Sequence, residues 1–382
     1  MTTIYLIRHG QAEGNLYRRC HSWHNGLLTL KGREQVKALE QRFDGTHFDA
    51  AYSSDLYRAM STAGAIYRPR GLPLRVDPQL REIGAGIWED VPWGKLLYDH
   101  RDSLTAFLHC DPAWQVEGSE TFPQVRARVQ AAIERIAASH PDQTVAVVSH
   151  GCAIRAGLSA WLGMDVGEMD RLPLPDNTGV AKLEHEDGQI RVVYYNDASH
   201  LGTLDTVSSA NCVYGVAGME KNALHFRPLL LSQDPELYLS ARKDGWQASH
   251  GTMDGFDGER FLTAAQENSA QDPNCVLSAH LGDTFVGVLQ MDWRQDADQR
   301  AGRVPFLYIA PDFRSRRLGV QLLGHAVCTY RAMGRQVLRL RCAPENEQAK
   351  RFYHSHGFRK VGEEPGGIGH LDTMEKYIGL EL

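Results

Sequence analysis

Along the first half of the chain, short apolar runs alternate with stretches whose apolar residues recur every three to four positions. Ile4–Ile7 reads as a strand that runs straight into Arg8-His9-Gly10. Val36, Leu39 and Phe43 fall on one face of a helix starting after Thr29. Tyr52–Ser53 closes a second strand, and Leu56, Ala59, Met60 and Ala63 line the helix that follows. Val125, Val129, Ile133 and Ile136 mark a longer helix. Val145–Val148 is a continuous apolar run, as expected of a strand covered on both faces, and it ends at Ser149-His150-Gly151. Val180–Leu183 and Ile190–Tyr195, joined by Glu186-Asp187-Gly188, predict a closing hairpin. The alternation predicts an α/β fold with a mainly parallel sheet between helices.

From Leu204 to Asn222 the periodicity stops and small residues, Ser, Asn and Gly take over. So long a stretch without pattern is unusual inside a compact domain. The expected organisation is a first domain over 1–203, a linker over 204–222 and a second domain over 223–382. The second half opens with Leu224–Leu231 and a mixed region reaching Pro273. A hairpin follows (Val276–His280 and Phe285–Met291), then a strand Phe306–Ile309, a helix Leu318–Arg331 and a strand Val337–Arg341. A helix near Asn346–His356 and a strand near Met374–Ile378 complete the pattern.

Composition narrows the functions. At 382 residues with 42% apolar content, both halves can bury ordinary cores. A formal charge of −6, from 41 Lys+Arg against 47 Asp+Glu, advertises neither a nucleic-acid surface nor a membrane surface. The seven cysteines are scattered without a Cys-x-x-Cys pair, as expected of reduced thiols rather than a disulfide framework or a metal site. No run approaches the ~20 apolar residues that span a bilayer, and a cytoplasmic protein is expected.

In the first half, separate segments place reactive groups just past strand ends, where α/β folds build their sites. They carry Arg8, His9 and Asn15, then Arg58, then Glu82, then His150. A phosphoryl group in flight spreads charge over three oxygens, so positioning and electrostatics do most of the work. Arginine forks bind those oxygens bidentately. A neutral imidazole can attack phosphorus, and a carboxylic acid can protonate the departing alkoxide. Singly, each of these residues is commonplace. Their joint order and spacing carry the assignment. Arg18, Arg19, Arg155, His21 and His24 either line the pocket or stand exposed, exposure being the expected fate of each.

Leu6-Ile7-Arg8-His9-Gly10 with Asn15 resembles the signature of the histidine phosphatase (phosphoglycerate mutase-like) superfamily. Leu28-Thr29 with Gly32 and Gln35, Ser53-Ser54-Asp55-Leu56-Tyr57-Arg58-Ala59, Leu80-Arg81-Glu82 through Gly86-Ile87-Trp88-Glu89, Val148-Ser149-His150-Gly151 and Asp197 through His200-Leu201 resemble its further blocks, in order. The resemblance implies a three-layer α/β/α domain in which His9 is the nucleophile and Glu82 the proton donor. It implies that Arg8, Arg58 and His150 hold the phosphoryl group of a small phosphorylated metabolite, with no metal. The Glu82–Trp93 segment is similar to the phosphatase branch, with Asp90 standing where a glycine is expected. Phosphoglycerate mutase-type transfer is the alternative.

In the second half, Ile309-x-Pro311 and Phe313-Arg314-Ser315-Arg316-Arg317-Leu318-Gly319 lie between a strand and a helix. Such a loop presents backbone N–H groups and a positive helix end to a pyrophosphate. With Leu322 and Leu323 it resembles the central motif of the GNAT superfamily of N-acetyltransferases, Arg317 taking the first glycine's place. Asn346 and Ala349 with Arg351-Phe352-Tyr353 and Gly357-Phe358 resemble that family's second motif. The resemblance implies a GNAT-like α+β domain binding acetyl-CoA through Ile309, Arg314, Arg317, Leu318, Gly319 and Asn346. It makes Tyr353 the acid for the coenzyme A thiolate, and a small-molecule or peptide amine the acceptor. The alternative is a non-catalytic acyl-CoA-binding module that regulates the first domain.

Overall fold

The computed structural model describes residues 1–204 and 215–380, and the chain divides into two compact units between Met219 and Glu220. The first unit contains, in order, β1 (Thr2–Arg8), α1 (Glu13–Tyr17), α2 (Leu30–Arg42), β2 (Ala50–Ser53), α3 (Tyr57–Arg70), β3 (Leu74–Val76), α4 (Trp93–Asp99), α5 (Arg101–Leu108), α6 (Phe122–Ala138), β4 (Thr144–Ser149), α7 (Gly151–Trp161), β5 (Val180–Glu186) and β6 (Gln189–Asp197). The sheet runs β3-β2-β4-β1-β5-β6. Its first four strands are parallel, and β5 and β6 join antiparallel as the expected hairpin.

The side chains explain these elements. Thr29 caps α2 by accepting the Gly32 N–H at 2.9 Å, and Thr121 with Gln124 forms a capping box on α6. One sheet face (Ile7, Ala146, Val148) packs under Leu39 of α2, Phe43 just past its end, and Ala59, Ala63 and Ile66 of α3. The alternate residues Ile4, Leu6, Val145 and Val147 are fully buried on the opposite face, toward α6 and α7. The result is three layers, α/β/α.

α8 (Val216–Asn222) occupies the end of the stretch read as patternless, most of the rest of which lies outside the described residues. The second unit continues with β7 (His225–Pro228), α9 (Pro235–His250), α10 (Gly258–Gln271), β8 (Val276–Leu281), β9 (Thr284–Asp292), β10 (Ala301–Ile309), α11 (Gly319–Ala332), β11 (Val337–Cys342), α12 (Glu347–Ser355), β12 (Arg359–Pro365) and β13 (His370–Tyr377). The region read as mixed up to Pro273 is therefore two long helices, capped by Asp234 and Asp257. The seven-stranded sheet runs β12-β13-β11-β10-β9-β8-β7, antiparallel except between β10 and β11. That parallel pairing covers only Ala301–Val304 against Val337–Leu340, although β10 continues to Ile309. Beyond Val304 the two strands part.

Among the described residues six cysteines are free thiols, and Cys212 lies outside them. No described helix is long and apolar enough to cross a membrane.

Candidate active sites

Three parallel strands end side by side in the first unit. Arg8 at the end of β1 pairs with Ser149 at the end of β4, and Ser53 at the end of β2 pairs with Val148. The next residue of each strand is His9, His150 and Ser54. All three are buried, and the two imidazole centroids are 5.2 Å apart.

The hydrogen bonds fix what each ring can do. His9 Nδ1 lies 2.7 Å from the Gly10 carbonyl oxygen. A carbonyl only accepts, so Nδ1 carries the proton and Nε2 keeps its lone pair. Burial first, then the positive charges of Arg58 and Arg8, hold the His9 pKa well below the usual histidine range, which keeps the ring neutral. His150 is depressed in the same direction, again by burial first and then by Arg58. Its Nε2 is 2.7 Å from Ser54 Oγ, while Nδ1 is buried with no partner. Ser54 Oγ already accepts the Leu56 N–H at 3.2 Å. Among the described residues His150 Nε2 is the acceptor within reach of that hydroxyl's proton, so the ring proton sits on Nδ1, which has no acceptor there.

Arg58, on α3, is buried and donates to the carbonyls of His24 (3.1 Å) and Ser22 (2.6 Å). Burial lowers its pKa to about 10, so it stays cationic at neutral pH. Arg8 donates to the Pro175 carbonyl, and its buried Nε has no partner among the described residues. Asn15 is half-buried, and its amide oxygen accepts the Ala12 N–H at 3.0 Å at the start of α1. The Glu82 carboxylate meets the N-terminus of α7, accepting from Cys152 (3.1 Å) and Ala153 (2.9 Å), as well as from Ile83 (3.1 Å). Arg128 of α6 fastens this segment by donating to the carbonyls of Arg81 and Glu82, each at 2.8 Å.

Some residues differ from the reading of the sequence. Arg18, Arg19, His21, His24 and Arg155 are half-buried, not exposed. Arg19 Nε donates to Asp90 at 2.7 Å, and Arg155 Nε donates to the Met169 carbonyl at 3.1 Å. Asp90 has φ 57°, which accounts for a glycine being expected there. Aspartate tolerates that conformation and here adds an anion for Arg19. Gly86 (φ 53°) could not change, since a Cβ would lie 2.0 Å from the Glu117 carbonyl oxygen.

Ser54, Asn177 and Arg128 are the supporting residues that sequence reasoning missed. Asn177 Nδ2 donates to the His9 carbonyl at 3.0 Å, from a turn whose next residue, Thr178, has φ 60°. The polar run Asp176-Asn177-Thr178-Gly179 before β5 is the signal that could have marked it.

In the second unit the two singled-out motifs meet. A Cβ on Gly319 would lie 3.6 Å from both Ile309 Cγ1 and Phe352 Cζ, which is ordinary contact, so the domain's own packing does not demand glycine there. Leu318 is buried and stands at the N-cap of α11 with no side-chain cap, leaving the first N–H groups of the helix available. Ser315 (φ 61°) and Arg317 (φ 57°) both adopt the left-handed conformation, which a glycine would take up without strain. Arg314 Nε donates to the Ile309 carbonyl at 3.0 Å, and its guanidinium pairs with Asp244. Asn346 caps α12, accepting the Ala349 N–H at 3.0 Å. Tyr353 is buried between Phe352 and Phe358. Burial pushes its pKa far up, so the phenol stays protonated.

Comparison with known proteins agrees with both halves. The family model for the histidine phosphatase superfamily (branch 1) matches residues 4–198, and that for the acetyltransferase (GNAT) family matches 237–358. Phosphoserine phosphatase 1 of Hydrogenobacter thermophilus is 27% identical over 202 residues, covering 53% of this chain and 95% of the relative. The probable phosphoglycerate mutase GpmB of Salmonella choleraesuis is 26% identical over 189 residues, covering 50% and 87%. Among solved structures, Bacillus stearothermophilus YhfR is 29% identical with a TM-score of 0.51, covering 53% of this chain and all of that one. The chain belongs to the histidine phosphatase superfamily and carries a GNAT-family domain behind its phosphatase domain.

Proposed function

We propose that the first domain hydrolyses small phosphate monoesters in two displacements through a phosphohistidine on His9. The observation that carries this is the pair of rings past β1 and β4. His9 offers a neutral Nε2 lone pair, and the ring of His150, 5.2 Å away, has an Nδ1 with no partner among the described residues. His9 Nε2 attacks phosphorus and the ester P–O bond breaks, with Glu82 as the acid that protonates the leaving oxygen. Water then attacks phosphorus, giving a proton back to the Glu82 carboxylate as its P–O bond forms; the P–N bond breaks with its electron pair returning to His9 Nε2, which restores neutral His9 and releases phosphate. Arg8, Arg58 and His150 Nδ1–H meet the charge on the phosphoryl oxygens, with Asn15 at the edge of the site, so the reading assigns no role to a metal.

Two relatives, named a phosphoserine phosphatase and a probable phosphoglycerate mutase, set the first assay. Phosphoserine and 3-phosphoglycerate are given to the purified chain, with and without chelator. Phosphate release, with an acid-labile phosphoenzyme in wild type and none in His9→Ala, is the expected result. Isomerised phosphoglycerate without phosphate release would establish the mutase reading instead.

The second domain is read as an acetyl-CoA-dependent N-acetyltransferase, its cofactor supplying an acetyl thioester. Ile309, Arg314, Arg317, Leu318 and Gly319 are the residues that hold the cofactor, with Asn346 fixing α12 beside them. A glycine at 319 that the domain's own packing does not demand, and a helix start without a side-chain cap, support this reading. Tyr353, neutral and buried, gives its proton to the departing thiolate. Both sites read this way act on soluble small molecules, and the cytoplasm is the proposed compartment.

A further inference from the structure

Between α9, α10 and the sheet of the second unit lies a concentration of arginines that neither the phosphatase chemistry nor the pyrophosphate loop uses. Arg242 of α9 stands over the splayed part of β10, its guanidinium 3.9 Å from the centroid of Phe306 and 4.6 Å from that of Phe261. Its hydrogen bonds go to neutral acceptors, Tyr238 Oη at 2.7 Å and Gln290 Oε1 at 2.6 Å. Among the described residues no carboxylate pairs with it. A cation held in this way against aromatic rings is seldom left without an anion.

The neighbouring strand adds a second charge. Arg341 comes directly after Leu340, the last residue of β11 paired to β10, so it stands where the two strands begin to part. The nearby carboxylates are already taken. Glu364 is held by both terminal nitrogens of Arg303 at 2.9 and 2.5 Å, and Arg303 also reaches Asp296 at 3.3 Å. Arg341 gets only a 3.9 Å contact with the same Glu364 oxygen. Its side chain is 37% exposed, open to a ligand. Burial lowers the pKa of Arg341 and of Arg242; Arg341 is further repelled by Arg303 and by Arg260 of α10, against the attraction of Glu364 and Asp296, and Arg242 is repelled by Arg341 against the attraction of Tyr238. The fork therefore holds a local excess of positive charge in a chain that is negative as a whole.

We propose that Arg242 and Arg341 form an anion subsite at the β10–β11 fork, which selects as acetyl acceptor a small amine bearing a carboxylate or phosphate. The proposal rests on the acetyltransferase reading for the word acceptor, but not for the anion site itself. Planar guanidinium forks suit both anions, binding them bidentately. Arg260 adds attraction at the rim, and Phe306 and Phe261 keep Arg242 in place.

The experiment uses the full chain in two arms. In the first, arginine labelling by phenylglyoxal is mapped with and without succinate. Protection of Arg341 is expected, and equal labelling in both conditions overturns the anion site. In the second, thiol release from acetyl-CoA is followed with free amino acids and their carboxamides. O-phosphoethanolamine is added in a His9→Ala background, where it survives. Anionic amines are expected to be the substrates, with Arg341→Gln raising their KM about tenfold or more while the KM for acetyl-CoA holds. Arg242→Lys, which keeps the charge and loses the fork, is expected to give a smaller rise. Carboxamides acetylated as well as the acids would overturn acceptor selection. Protection of Arg341 by succinate with no acetylation of any amine would sink the acetyltransferase reading and leave the anion site standing.

Discussion

Replacing Ser54 by Ala tests the phosphatase site through a residue that never touches the substrate. Ser54 is fully buried, and its hydroxyl is the hydrogen-bond partner of His150 Nε2. Without the hydroxyl, nothing obliges the proton of neutral His150 to stay on Nδ1. A hydrogen bond of this kind contributes about 1 kcal/mol net, roughly a fivefold bias between the tautomers. Losing a fivefold bias lowers the Nδ1–H fraction from about five-sixths to about one-half, so a kcat drop of about twofold is expected, far short of the hundredfold or more that a wholly lost charge-stabilising donor costs. Stability falls by about 1–3 kcal/mol, because Nε2 is left buried and unsatisfied. The assay is steady-state hydrolysis across pH, paired with nitrogen NMR of the His150 ring. Protonating His150 makes both nitrogens donors, so the defect should shrink as pH falls. A kcat loss that is the same at every pH, with unchanged ring nitrogen shifts, would refute the tautomer argument.

Other outcomes follow from the same geometry. Glu82→Gln should slow alkyl phosphates far more than nitrophenyl phosphate, whose leaving group needs little protonation; equal losses would remove Glu82 as the acid. Arg317→Gly should relieve a left-handed arginine and raise stability by about 1 kcal/mol, yet weaken acetyl-CoA binding if the guanidinium pairs with a phosphate. Calorimetric titration that finds tighter binding would show that Arg317 obstructs the loop instead. His9 and His150 have folded-state pKa values well below 6.5, so below pH 6.5 the unfolded chain binds protons that the folded one refuses. Stability should be full above pH 6.5 and fall as the pH drops toward the folded values. His150→Gln should flatten that decline, and an unchanged slope in melting temperature between pH 7.5 and 5 would contradict it.

Strongly periodic elements were legible. β1, α2, α6 and β4 follow from runs such as Val145–Val148 because burial on one or both faces leaves a pattern that little else produces. α9 and α10 left a weak trace, since only Tyr238 and Ala241 of α9, and Ala265 and Asn268 of α10, are buried. Their start signals were present in Asp234-Pro235 and Asp257, but glycines at 245, 251, 255 and 258 break up the reading. β12 is mostly exposed, so no apolar face announced it. At the site, the charged residues were readable from order and spacing. Ser54 was not, because Ser53 beside it is the same residue type. Only the register at the ends of β2 and β4 decides which serine reaches His150.

The adjoining ends of β1 and β4 bear on how such an enzyme can change. His9 and His150 are each one residue past strands locked together by a parallel ladder, Arg8 opposite Ser149. Their separation is therefore set by the most rigid part of the sheet, whatever the surrounding loops do. The segments around Arg18–Arg19 and from Ile87 to Trp93 can be recharged or replaced without moving the reacting rings, provided that Glu82 and the Ser22 and His24 carbonyls that hold Arg58 stay in place. Chemistry and preference for substrate are thus mechanically uncoupled. Grafting those two segments from a relative should transfer its choice of ester while leaving phosphohistidine formation where it is.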